Sequence, residues 1–89
     1  MITTSTSARI EETLRQAGRA RRRVRATYQF HGDGTIKEFE RQWEPYAIRD
    51  GHALVFSYFR NEFRTVPLHH IVNVEIHDRE FEPRRPIEL

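Results

Sequence analysis

The chain has 89 residues, 37% of them hydrophobic and 31% charged, with a formal net charge of +2 and no cysteine. That length fits one small domain, burying about 60% of the surface its unfolded chain exposes, and the missing cysteine excludes a disulfide framework, a zinc–thiolate centre and a thiolate nucleophile. No stretch approaches the roughly 18 apolar residues of a spanning helix, and MITTSTSARIEETLRQ has no apolar run and carries Glu11 and Glu12, so neither a membrane segment nor a leader is expected and the cytoplasm is the expected location.

In chain order, residues 1–7 read as a flexible N-terminus and residues 8–18 as a helix. Ser7 is placed to cap it, Glu11 and Glu12 to lie in its first turn, and Ile10, Leu14 and Ala17 fall at i, i+4 and i+7 on one face. Gly18 reads as its C-cap. A sheet is expected over residues 21–77. From Arg23 to Phe30 the pattern alternates, with Val24, Ala26, Tyr28 and Phe30 on one side and Arg23, Arg25, Thr27 and Gln29 on the other. HGDGT (31–35) is a hairpin turn leading to a second strand, Ile36 to Trp43, which Glu44-Pro45 ends. Asp50-Gly51 marks a tight turn before HALVFSY, a central strand buried on both sides. The turn FRNEF leads to a fourth strand, Arg64 to Leu68, and a fifth runs from Ile71 to His77 with Val72, Val74 and Ile76 on one face. Residues 78–89 form a Pro/Arg-rich tail. One helix followed by five short strands predicts a mainly β, single-domain chain over residues 1–89, folded as a small, strongly bent antiparallel sheet or barrel.

The charge is uneven. Residues 1–30 carry seven arginines against two glutamates, the rest of the chain is net acidic, and every basic residue except Lys37 is arginine. Such a run reads either as a phosphate track, because the planar guanidinium binds phosphate bidentately and stacks on bases, or as the solvated face of a strand with favourable charge at a helix C-terminus. The aromatics Tyr28, Phe30, Trp43, Tyr46, Phe56, Tyr58, Phe59 and Phe63 likewise read as core filling or as a base-stacking platform. His69 and His70 are adjacent, with no H-x-x-x-H or H-E-x-x-H spacing, so no metal site is expected. Ser57 lies in no G-x-S-x-G elbow, and Arg41, Glu44 and Asp50 have no spacing of a general acid and base, so neither enzyme chemistry nor a cofactor is expected.

EPYAIRDGHALVFSYFRNEFRTVPLHHIVNVEIHDREFEP resembles the heart of a WYL domain. In that family a strand ending in Y-R-S precedes R-x-x-x-P-x-x-[LI], then Y-R-D-G-x-W-Y-L-V-A, R-x-F-R-L-D-R-I and F-x-P. The counterparts here are Tyr28, Arg41 through Pro45 to Ile48, Arg49-Asp50-Gly51 with Ala53-Leu54-Val55, Arg64 through Ile71, and Phe81-Glu82-Pro83. The name-giving Trp and Tyr are absent, and Pro67 and His70 stand where the family's binding surface usually has arginines. The resemblance implies an N-terminal helix followed by a five-stranded antiparallel Sm-like, SH3-like β-barrel. It further implies a non-enzymatic ligand-sensing module of bacterial transcription regulators or phage-defence systems, responding to nucleic acid such as single-stranded DNA, RNA or an oligonucleotide. The contact residues expected on that basis and from the arginine run are Arg21, Arg23, Arg25, Tyr28, His31, Arg41, Arg64 and His70. The alternative is a protein-interaction module with a degenerate pocket, docking a regulator protein. A homodimer paired through exposed sheet edges is also expected.

Overall fold

The computed structural model describes residues 6–89. Helix α1 spans Thr6–Arg19 and is followed by β1 (Arg22–Gly32), β2 (Thr35–Arg49), β3 (His52–Ser57), β4 (Glu62–Pro67) and β5 (Ile71–Glu80), with a single 3-10 turn at Leu68–His70 between the last two strands. The five strands form one antiparallel sheet in the order β4-β3-β2-β1-β5. The mainly β architecture agrees with the sequence reading, but the ladder is open: β4 and β5 are its two ends and do not pair with each other. The 3-10 turn carries the chain from one edge to the other, and Leu68, beside Ile71, enters the apolar cluster that α1 fills with Ile10, Leu14 and Ala17. The helix, rather than a fifth ladder, covers the open side.

Strand β2 is longer than its sequence pattern indicates. Glu44-Pro45 does not end it. Residues Thr35 to Trp43 pair with β1, and Trp43 to Arg49 pair with β3 across a register shift between Pro45 and Ala47. Proline lacks a donor and is tolerated at such an irregularity, where the ladder needs none. Trp43, 2% exposed, is therefore the pivot between two halves of the sheet. Both halves bury side chains: Ala53 and Val55 point into the helix-covered cluster, whereas Phe56 joins Tyr46 and Phe81 in a second one. That two-sided burial of β3 matches its apolar sequence. Two turns also match, with Asp33-Gly34 and Asp50-Gly51 all at positive φ.

The helix ends differ from expectation, and the flexible segment read over residues 1–7 lies outside the described residues except for Thr6 and Ser7, which are helical. Ser7 is therefore inside the helix rather than capping it, and Glu11 and Glu12 lie beyond its first turn. Gly18 is buried within the last turn. A Cβ there would meet the flexible Leu89 side chain, which would have to shift, and lie 3.2 Å from the Pro45 carbonyl oxygen, a tight contact with backbone. The left-handed residue after the helix is Arg21, at φ 55.

The tail is an ordered strap. Asp78–Glu80 continue β5, Phe81 is buried, and its N–H donates to the Arg21 carbonyl at 2.9 Å. Further on, Glu88 bridges Ala47 in parallel, Arg49 pairs with the Glu88 carboxylate at 2.8 Å, and the Arg19 Nε donates to the Leu89 carbonyl at 2.9 Å. On β5 the expected apolar face is only partly covered: Val74 packs on the core, while Val72 and Ile76 are 44% and 39% exposed. No helix among the described residues is long and apolar enough to cross a membrane.

Because Leu14 is fully buried between helix and sheet, Leu14→Ala should cost about 2–5 kcal/mol. Phe30→Ala, at a side chain 58% exposed on the hairpin arm, should change stability by less than about 0.5 kcal/mol. Urea denaturation followed by circular dichroism reads both, and equal effects would contradict the burial of Leu14.

Candidate nucleic-acid interface

Antiparallel pairing places Arg25 opposite Gln42 and Thr27 opposite Glu40, so the outward side chains of β1 and the middle of β2 share a face. β3 stops at Ser57, opposite Trp43, so beyond that point the edge of β2 away from β1 has no strand partner. The Tyr58–Asn61 turn folds in beside the free edge, with the Tyr58 N–H donating to the Gln42 carbonyl at 3.2 Å. Together these segments enclose a surface hollow of about 550 Å³ lined by Arg23, Arg25, Glu40, Arg41, Gln42, Tyr58 and Phe59.

The arginines of this hollow lie on rings. The Arg23 guanidinium carbon is 4.5 Å from the Tyr58 ring centroid, and that of Arg41 is 3.8 Å from Phe59 and 5.1 Å from Phe39. Stacking engages the flat face of a guanidinium and leaves its in-plane N–H donors to point at an anion. The Nε atoms of Arg23 and Arg41 are buried without an acceptor, while one Arg41 Nη donates to the Glu40 carbonyl at 2.9 Å. Arg25 is more committed: its Nε lies 3.4 Å from Glu40, and Glu75 on β5 is its cross-strand neighbour. Phe59 remains 65% exposed, a free ring face at the rim.

Behind the hollow lies a buried carboxylate. Glu44, 2% exposed, accepts hydrogen bonds from the Tyr46 hydroxyl at 2.6 Å, the Tyr58 hydroxyl and the Arg84 Nε at 3.1 Å. Arg84 also donates its backbone N–H to the Tyr46 oxygen at 2.9 Å and lays its guanidinium 3.8 Å from the Phe56 centroid. One carboxylate thus ties the ring under Arg23 to the C-terminal strap. Burial, and then the hydrogen bond to Glu44, push the Tyr46 phenol up to about 12. The same two causes push Tyr58 up as well.

Of the residues expected from sequence, Arg23, Arg25 and Arg41 are brought together. Arg21 sits exposed in the turn before β1 and does not line the hollow. Tyr28 is half-buried, its ring 5.6 Å from Phe39 and 5.7 Å from Trp43, and it supports the core. Arg64 stands on the edge strand β4, 3.9 Å from Glu62. His31 and His70 meet each other at 5.7 Å, apart from the arginines. The sequence places Tyr58 and Phe59 among aromatics that read as core filling or as a base-stacking platform, without singling them out as contact residues, and gives Glu44 no binding role. Adjacent aromatics flanking a turn were the available signal, but only the early end of β3 brings them to the arginines.

Fold and site together define a helix-backed, open five-stranded antiparallel sheet with an arginine- and aromatic-lined hollow. No family model and no curated protein matches the chain. Its fold is similar to that of a solved structure, proteasome accessory factor B/C (PafBC) of Arthrobacter aurescens, with a TM-score of 0.74 and 19% identity over 90% of this chain and 13% of that one. The likeness is one of fold.

The phenols generate a prediction for alkaline pH. A phenol held protonated above its ordinary value of 10.0 contributes its stability in full below pH 10 and loses it as pH rises towards about 12. Unfolding free energy, measured by urea titration at stepped pH, should therefore fall across that window. Tyr46→Phe should flatten the fall, and an unchanged slope in that variant would refute the assignment.

Proposed function

We propose that the chain is a WYL-like, non-enzymatic ligand-sensing module that binds single-stranded nucleic acid, DNA or RNA, in the hollow of Arg23, Arg25 and Arg41. The observation that carries this reading is the pair of ring-stacked guanidiniums with unpartnered buried Nε atoms beside the exposed ring of Phe59. Backbone phosphates would take the in-plane donors, and a base would stack on Phe59, an arrangement suited to single strands because every base offers a π-face. Guanidiniums stay protonated at neutral pH, so they supply binding and no proton exchange. The order of motifs and the fold likeness to a part of PafBC support the WYL-like, regulatory side of the reading. A cytoplasmic role in a bacterial transcription regulator or phage-defence system belongs to the same proposal.

Binding of fluorescent oligonucleotides at several salt concentrations tests it. Each lost phosphate contact lowers the single-strand salt slope by about 0.7, so Arg23→Ala with Arg41→Ala should lower it by about 1.4. Phe59→Ala should weaken affinity by about 1–3 kcal/mol and leave the slope unchanged. Oligonucleotide binding that is indifferent to all three substitutions would place the ligand elsewhere.

A second reading, self-association or docking to a regulator protein, is favoured by the open β5 edge with Val72 and Ile76 exposed on it. An unpaired edge is a template for another strand. Sedimentation equilibrium at micromolar concentration should show a homodimer, and a single 10.7 kDa species would remove self-association.

A further inference from the structure

Histidines that are scattered in sequence converge at one end of the sheet. Tyr28 on β1 pairs with Ile71 on β5, so β1 continues past the 3-10 turn and brings His31 to His70, with ring centroids 5.7 Å apart. His69 stands edge-on to His70 at 4.4 Å. His52 opens β3 and pairs with Pro67, the residue before the turn, but its Nδ1 lies 2.8 Å from the Asp50 carbonyl oxygen and its side chain lines a different hollow with Arg49 and Glu88. His31 and His69 are exposed and His70 is half-buried, so the cluster is open to solvent.

The geometry points to a proton-gated anion site at His31, His69 and His70, separate from the arginine hollow, that takes a phosphate group. A neutral imidazole offers one N–H donor and a protonated one offers two, with charge. Imidazoles at these separations resist joint protonation, because each charge opposes the next. A dianion seated among them removes that opposition, so anion binding and proton uptake reinforce each other. The charges acting on His70 come from His69 on its own turn, His31 on β1 and His52 on β3. Helix α1, also packed on the turn, contributes the apolar Ile10 and Leu14 to the cluster holding Leu68. Partial burial, and then those three histidines, hold His70 below the ordinary imidazole range. The site does not depend on the nucleic-acid reading, and its ligand is either a free phosphate or a backbone phosphate of an oligonucleotide.

Imidazole resonances followed by NMR between about pH 5 and 8 test the site, with matched chloride, inorganic phosphate or a short oligothymidylate as the added anion. The Arg23→Ala, Arg41→Ala protein is used, so that a failed hollow and a failed histidine site are distinguishable. Inorganic phosphate should move the His70 and His31 titrations upward by about one unit, equivalent to a tenfold preference for the protonated rings. A shift with phosphate alone identifies the free anion as ligand, and a shift with oligothymidylate identifies the backbone. His70→Asn should abolish the His31 shift; if that variant does not fold, His31→Asn, at an exposed position, should reduce the His70 shift. Titrations that match chloride for both anions, or shifts undiminished in the folded variant, would overturn the proposal.

Discussion

Strand β2 must serve two neighbours over different parts of its length, and most of the molecule follows from that constraint. Its first part hydrogen-bonds β1 and its last part hydrogen-bonds β3, with Trp43 common to both ladders. Since β3 ends at Trp43, the middle of β2 is left with a bare edge, and the Tyr58–Asn61 turn closes over it. Glu44, next to Trp43 on the same strand, is buried and accepts hydrogen bonds from Tyr46 and Tyr58.

Burying Glu44 is costly, and the surroundings show how the cost is met. Two phenols donate to it and the Arg84 guanidinium neutralises it, while Arg84 is itself held by the Phe56 ring and is 45% exposed. A buried charge is tolerated when paired and hydrogen-bonded. The arrangement also orders the C-terminal strap, since Arg84 is reached only after the chain has left β5 and passed the buried Phe81. From there the strap crosses Ala47 and ends over Gly18. Thus the aromatic floor under Arg23 and the last residues of the chain share one anchor.

The arginine run owes its two faces to period-two geometry. Val24 and Ala26 are fully buried, while Arg23 and Arg25 rise from the other side. What distinguishes these arginines from one another is their neighbours: Arg25 is opposed by Glu40 and Glu75, whereas Arg23 and Arg41 rest on rings with Nε donors unpaired. A cluster that is uniform in sequence is therefore uneven in its capacity to bind an anion.

The sequence by itself determined the helix, the five strands and the tight turns, because these rest on local rules: apolar spacing, alternation, and glycine or aspartate where φ must be positive. It also set Val24 and Ala26 against Arg23 and Arg25. Sheet closure, the continuation of β2 through Pro45, the packing role of Gly18 and the ordering of the tail were decided by tertiary structure, since each depends on a residue far along the chain. Arg41 joins Phe59, and His31 joins His70, for the same reason. Periodicity states which side of its own strand a residue takes, whereas the length of a neighbouring strand and the path of a turn determine what it meets there.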